Sequence, residues 1–194
     1  MAVVRKITTK FPGTMFLLTT CVMLQILGSL SPNVTDALAL VPSRGLLLTL
    51  VGLITHQFAH SGWTHLIGNF ALGLPFLCFL ESKLGKQRFL EMYLLCGLTA
   101  ALLELLIGGV PMESADMLGA SGAIFGCAVG ACLEFGETKL DHTLALLLAA
   151  VMLVPQIAMG PDGALMGIAY YAHVGGALGA LMMSKWLYSA DKRC

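Results

Sequence analysis

Apolar residues in this chain come in long runs, separated by short clusters of charge, glycine and proline. Six such runs occupy about 15–30, 64–80, 89–110, 119–135, 143–159 and 164–188. An α-helix rises about 1.5 Å per residue and a bilayer's hydrocarbon core is about 30 Å thick, so runs of this length read as membrane spans. The pattern predicts an all-α polytopic membrane protein, a six-transmembrane-helix bundle forming a single domain over 1–194. The first run follows Arg5, Lys6 and Lys10. It reads as a retained first span or as a signal peptide, for which Ala37-Leu38-Ala39 supplies a cleavage pattern. The apolar character of everything downstream favours the span. The longest connection, 31–63, carries Pro32, Pro42, Gly45 and Gly52. Its apolar piece Gly45 to Ile54 is too short to cross and reads as an outer re-entrant or interfacial segment between spans one and two.

Composition agrees with that pattern. Hydrophobic residues make up 57% and charged residues 11% of the chain, against about 25% charged in a soluble domain. The six cysteines show no Cys-x-x-Cys spacing, and five lie in or beside apolar runs, so they read as small core residues. Net charge is zero, but its distribution is uneven. With six spans, one side collects ten of the eleven basic residues and the other keeps only Arg44. That asymmetry places both termini in the cytoplasm and turns the loops at 31–63, 111–118 and 160–163 outward. The lipid bilayer, not nucleic acid, is the expected surrounding.

Candidate chemistry concentrates at Gly119-Ala120-Ser121-Gly122-Ala123-Ile124-Phe125-Gly126. Glycines 122, 126 and 130 recur every four residues and form one helix stripe, against which another backbone can pack closely. From Ser121 to Glu134 the helix climbs roughly 20 Å, so Ser121 lies below the outer surface if Glu134 marks the inner one. Non-helical backbone at that depth survives only against protein or water. The stretch Gly108 to Ala120 is therefore expected to border a wet outer cavity with Ser121 at its floor. Four of the five histidines lie on the same outer half: His56, His60, His65 and His173. His65 and Asn69 share a helix face by their four-residue spacing. His173 is deep in the sixth run, on a face continued by the small residues Gly176, Ala177 and Ala180. Two small-residue faces, one headed by Ser121 and one by His173, are suited to pack together and bring a hydroxyl to a base.

These residues resemble the rhomboid family of intramembrane serine proteases, in the six-span form widespread in bacteria. The likeness rests on His60, His65-Leu-Ile-Gly-Asn69, Glu81, Gly119-Ala120-Ser121-Gly122 and Ala172-His173-Val-Gly-Gly176, in that order from about 56 to 180. The resemblance implies an intramembrane endopeptidase in the bacterial inner membrane that cuts transmembrane protein substrates, with its site open to the outer side. It implies Ser121 as nucleophile and His173 as general base, with no acid placed beside His173, hence a dyad. It also implies an oxyanion hole from the Ser121 backbone N–H and the side chains of His65 and Asn69. Supporting positions are Gly119, Gly122, Phe125, Gly126, Gly176 and His60, and no cofactor or metal is implied. Phe125 stands where many relatives have tyrosine. Two departures are a Trp-Arg pair replaced by Leu50-Val51-Gly52-Leu53, and Ala180 in place of a glycine. His56 and His60 read as hydrogen-bond partners of the outer loop.

Three other readings fit parts of the pattern. A proteolytically inactive relative would bind transmembrane helices without cutting them. A metal or haem membrane protein would use His56, His60, His65 and His173, although no glutamate sits between His56 and His60 as in a metalloprotease helix. A transporter would rely on Glu104, an acid inside the third run that otherwise faces the cavity or a span interface.

Overall fold

The computed structural model describes residues 9–107, 117–134, 143, 147, 150 and 170–191. Six α-helices are described: α1 (Pro12–Leu30), α2 (Pro32–Leu38), α3 (Leu46–Thr55), α4 (Trp63–Ile107), α5 (Ser121–Glu134) and α6 (Tyr170–Asp191). No strand occurs among the described residues, only an isolated antiparallel bridge between Leu40 and Met117. The fifth expected span lies outside the described residues except for 143, 147 and 150, which are helical.

Among the described residues two helices are long and apolar enough to cross a membrane, α1 and α4. The second and third expected spans form one 45-residue element, α4, whose only non-helical residue is Gly85, at φ 74° and ψ 164°. Its arms, 63–84 and 86–107, are each about 33 Å long at 1.5 Å per residue. The hydropathy pattern ends the second run at about Leu80 and begins the third at about Phe89, leaving 81–88 as the connection. In the structure helix continues on both sides of Gly85, because the exposed Lys83, Lys86 and Arg88 are good helix formers, and a single left-handed glycine suffices to turn the chain. The second arm returns alongside the first. Tyr93 Oη donates to the Gln57 carbonyl at 3.3 Å, and Gly97 lies against the Gln57 side chain, level with the start of the first arm.

Glu81 is turned inward and 4% exposed. Its two oxygens accept the backbone N–H groups of Gly13 (2.6 Å) and Thr14 (2.7 Å). It therefore supplies the cap that α1 lacks locally, since Phe11 makes no side-chain cap and Pro12 has no N–H to give. That explains why α1 begins three residues before the apolar run. Around these helices one core assembles, including Leu17, Leu77, Leu80, Phe89, Tyr93, Ile124 and Cys127. Large apolar side chains also point outward, among them Leu30, Ile67, Leu106 and Met182. That is the distribution expected where lipid replaces water outside the bundle.

The connection between α1 and α4 carries exposed apolar side chains. Helix α3 is ten residues long, and Leu46, Leu47, Leu48, Leu50, Val51 and Ile54 are exposed. Gly52 lets α3 rest on Ala39 and Leu40, where a Cβ would come within 2.9 Å of backbone atoms. The Arg44 guanidinium donates to the Asp36 carbonyl, tying this loop back to α2.

Candidate active site

The short non-helical approach to Ser121 is held by protein along its described length. Leu40 and Met117 exchange both backbone hydrogen bonds, at 3.1 and 3.2 Å. Gly119 N–H donates to the His56 carbonyl at 3.0 Å, and Ala120 N–H donates to His60 Nε2 at 3.4 Å. Backbone polar groups inside a membrane must be paired, and residues 39–60 supply the partners. Gly119 and Ala120 are buried, while Ser121, the first residue of α5, is half-buried. Residues 108–116, the rest of the expected cavity wall, lie outside the described residues.

His56 and His60 are structural in this arrangement. His56 Nδ1–H donates to the Gly52 carbonyl at 2.9 Å. Burial pushes its pKa down to about 4. Burial, seconded by the neighbouring His65, pushes His60 down to about 4 as well. Both imidazoles are thus neutral at pH 7, and a neutral Nε2 is what His60 needs in order to accept from Ala120.

His65 and Asn69, on the first turns of α4, meet at Gly119. A Cβ on Gly119 would lie 2.7 Å from His65 Cε1, 2.8 Å from Nε2 and 3.5 Å from Asn69 Nδ2. Gly119 also has φ 121°, a conformation that L side chains avoid, so both backbone shape and close approach require glycine here. His65 Nδ1 and Ser61 Oγ are hydrogen-bonded at 3.1 Å, and the His60 ring stands edge-on to His65 with centroids 5.2 Å apart. Asn69 Nδ2 is buried with no hydrogen-bond partner among the described residues. Two side-chain nitrogens therefore converge two residues before Ser121.

On the other side, α5 crosses α6 almost backbone to backbone. A Cβ on Gly176 would be driven into the Gly122 carbonyl, and one on Gly122 would come within 3.3 Å of the Ala172 carbonyl. Gly126 faces the Gly176 carbonyl and Cys96. Since Ser121 precedes Gly122 and His173 follows Ala172, this crossing sets the two on facing turns. His173 is buried, and its ring stacks on Phe125 with centroids 5.2 Å apart and planes 26° apart. The predicted stripe is thus shared between neighbours: Gly122 and Gly126 meet both α4 and α6, while Gly130 meets Met92 and Ala180.

Three contacts of this site go beyond those expected from the sequence. Gly175 and Gly179 form a second seam on α6, against Thr99, Ala100 and Cys96 of α4. Ser61 engages His65, a pairing that the four-residue spacing of 61 and 65 could have suggested. Glu104 Oε2 accepts the Ala172 N–H at 2.8 Å, one residue before His173. Among the described residues no three His, Cys, Asp or Glu side chains come together as a metal-ligand set.

Comparison with known proteins bears on this geometry. A rhomboid-domain family model matches residues 48–190. The chain is 30% identical over 129 residues to Rhomboid-like protease 5 of Toxoplasma gondii, covering 65% of this chain and 15% of that protein. It is 32% identical over 127 residues to the rhomboid protease GluP of Bacillus subtilis, covering 66% and 24%. It is 26% identical over 132 residues to the presenilin-associated rhomboid-like protein A, mitochondrial, of Danio rerio, covering 65% and 34%. The matched stretch is about a third or less of each of these relatives' length. The family match covers most of the chain, including α4, α5 and α6, and with it the conclusion follows: this chain, whose described elements are all helical, belongs to the rhomboid family of integral membrane proteins.

Proposed function

We propose that the chain is an intramembrane serine endopeptidase that cuts transmembrane segments of membrane proteins. The observation that carries this is the glycine crossing of α5 and α6, which sets Ser121 and His173 on facing turns with Phe125 stacked on the imidazole. A serine hydroxyl is a weak nucleophile until a neighbouring base takes its proton. In the proposed reaction Ser121 Oγ bonds to the scissile carbonyl carbon while its proton passes to the His173 imidazole. The carbonyl electron pair moves onto oxygen, where the Ser121 N–H, His65 Nε2–H and Asn69 Nδ2–H stabilise it. For His65 to donate from Nε2, Ser61 O–H must donate to Nδ1, and the 3.1 Å contact suits that role. Collapse breaks the C–N bond, and His173 returns the proton to the leaving amine. Water then attacks the acyl ester, giving a proton to His173; the ester C–O bond breaks, His173 passes that proton to Ser121 Oγ, and the carboxylic acid product leaves.

The substrate class follows from the location. A helix entering sideways from lipid must unwind locally, so glycine or proline near the cut, with small residues beside it, lowers the cost. The charge distribution supports a six-span bundle with cytoplasmic termini and a site open to the outer side. An inner cell membrane is the proposed location.

A fluorophosphonate probe tests the activated hydroxyl. Covalent labelling at Ser121, abolished in His173→Ala, is expected. A second reading, an inactive rhomboid-like protein that binds transmembrane helices, is favoured if helices bind while Ser121 stays unlabelled. A histidine-liganded metal or haem protein predicts activity lost to a chelator instead.

A further inference from the structure

We propose that Glu104 is a positioning residue for His173, fixing the register of α6 through a hydrogen bond to its backbone. The inference rests on the protease reading in so far as His173 is the base. Its physical basis is the nature of the seams that hold α6. On one side Gly176 meets the backbone of Gly122 and Gly126. On the other, a Cβ on Gly175 would lie 2.8 Å from Ala100 Cα, and one on Gly179 3.0 Å from Cys96 Cα. Such seams bring backbones close, but they carry few interlocking side chains. Smooth surfaces oppose sliding weakly, and a slide of one residue is about 1.5 Å along the axis with a turn of about 100°.

A directional contact fixes the register of such a seam, and Glu104 provides one. Its Oε2 accepts from Ala172 N–H at 2.8 Å, with both residues buried, and the next residue is His173. Thr99, the other polar side chain of α4 at this seam, bonds to the carbonyls of Leu95 and Cys96 in its own helix. An acid within a span is expensive to keep, so a role is expected of it. The accepting oxygen is available in either protonation state, so the role is one of geometry and needs no proton transfer.

That distinction sets the variants. Glu104→Gln keeps an oxygen at the same reach. Glu104→Asp withdraws it by about 1.5 Å, one C–C bond, and Glu104→Leu removes it. A misplacement of about 1 Å at a reacting group costs up to about 100-fold. In the full-length protein, kcat for E104Q is expected within about threefold of native, and kcat for E104D and E104L lower by about 10–100-fold. KM should move by less than about twofold, because Glu104 is placed to act on the base and not on substrate docking. Fluorophosphonate labelling of Ser121 should slow in parallel. The 15N resonances of the His173 ring, assigned by their loss in His173→Ala, should shift in E104D and E104L and keep their native positions in E104Q.

Native labelling rates and unmoved His173 resonances in E104D would overturn the proposal. So would an E104Q as impaired as E104L, since charge and not acceptor position would then matter. If E104L fails to fold, E104D against E104Q decides. A native chain that neither labels nor cleaves would sink the protease reading, and the His173 resonances would still decide whether Glu104 positions that ring.

Discussion

The Phe125 ring lies on the His173 imidazole, 5.2 Å between centroids, and the two residues come from helices that touch through glycines. A stacked aromatic pair is worth about 1 kcal/mol beyond its buried area, or roughly fivefold in a rate that depends on ring orientation. Phe125→Leu keeps apolar volume but loses the flat face, so we expect kcat to fall by about fivefold or more. Phe125→Tyr should remain near native. Cleavage kinetics of the two variants check this, and an unimpaired F125L would mean the stack does not orient the histidine.

The glycines along α5 and α6 separate into dispensable and indispensable ones. At Gly176 an added methyl meets backbone, the Gly122 carbonyl, which cannot step aside. At Gly130 it meets the Met92 Cε, the free end of a flexible side chain. Gly176→Ala is expected to destabilise by about 1–3 kcal/mol, and Gly130→Ala to stay within about 0.5 kcal/mol of native. Unfolding midpoints in mixed micelles compare them, and equal effects would contradict the crossing described.

Glu81 offers two oxygens to two N–H groups, of Gly13 and Thr14. Hydrogen bonds to a charged group are worth about 1.5–3 kcal/mol each. Glu81→Ala should therefore cost about 3 kcal/mol or more. Glu81→Gln, with one acceptor oxygen, should fall between that variant and native. The same unfolding assay reads the order, and a Gln variant as stable as native would show that one of the two bonds carries no weight.

Acid should loosen the outer loop. His56 and His60 have folded-state pKa values of about 4, below their unfolded value of 6.5. The unfolded chain therefore binds more protons between those limits, and stability present above pH 6.5 is lost as pH falls toward 4. The slope is about 1.4 kcal/mol per pH unit for each histidine. Protonation of His60 also removes the acceptor of Ala120, beside Ser121. Unfolding measured from pH 7 to 4 should show this decline, shallower by about one proton in His60→Gln. A flat profile would contradict the neutral, buried assignment.

Much of this site was legible because its residues obey local periodicities. Ser121 begins a helix as expected, and His65 and Asn69 share a face by their spacing of four. Gly176, on the small-residue face that continues from His173, packs against Gly122 and Gly126. What was not legible depends on pairing across the chain. No spacing announces that Leu40 will pair with Met117, that Glu81 will cap α1, or that Glu104 will reach Ala172. The turn between the second and third apolar runs shows in the sequence as a cluster of charge, a visible signal, whereas the one left-handed glycine that makes it is not.

Purified protein in liposomes, given a model transmembrane substrate with a glycine-containing outer segment, tests the central claim most directly. Cleavage by the native chain, lost in both Ser121→Ala and His173→Ala while each variant still folds, is the predicted result. Cleavage at native rates by either variant would contradict the account.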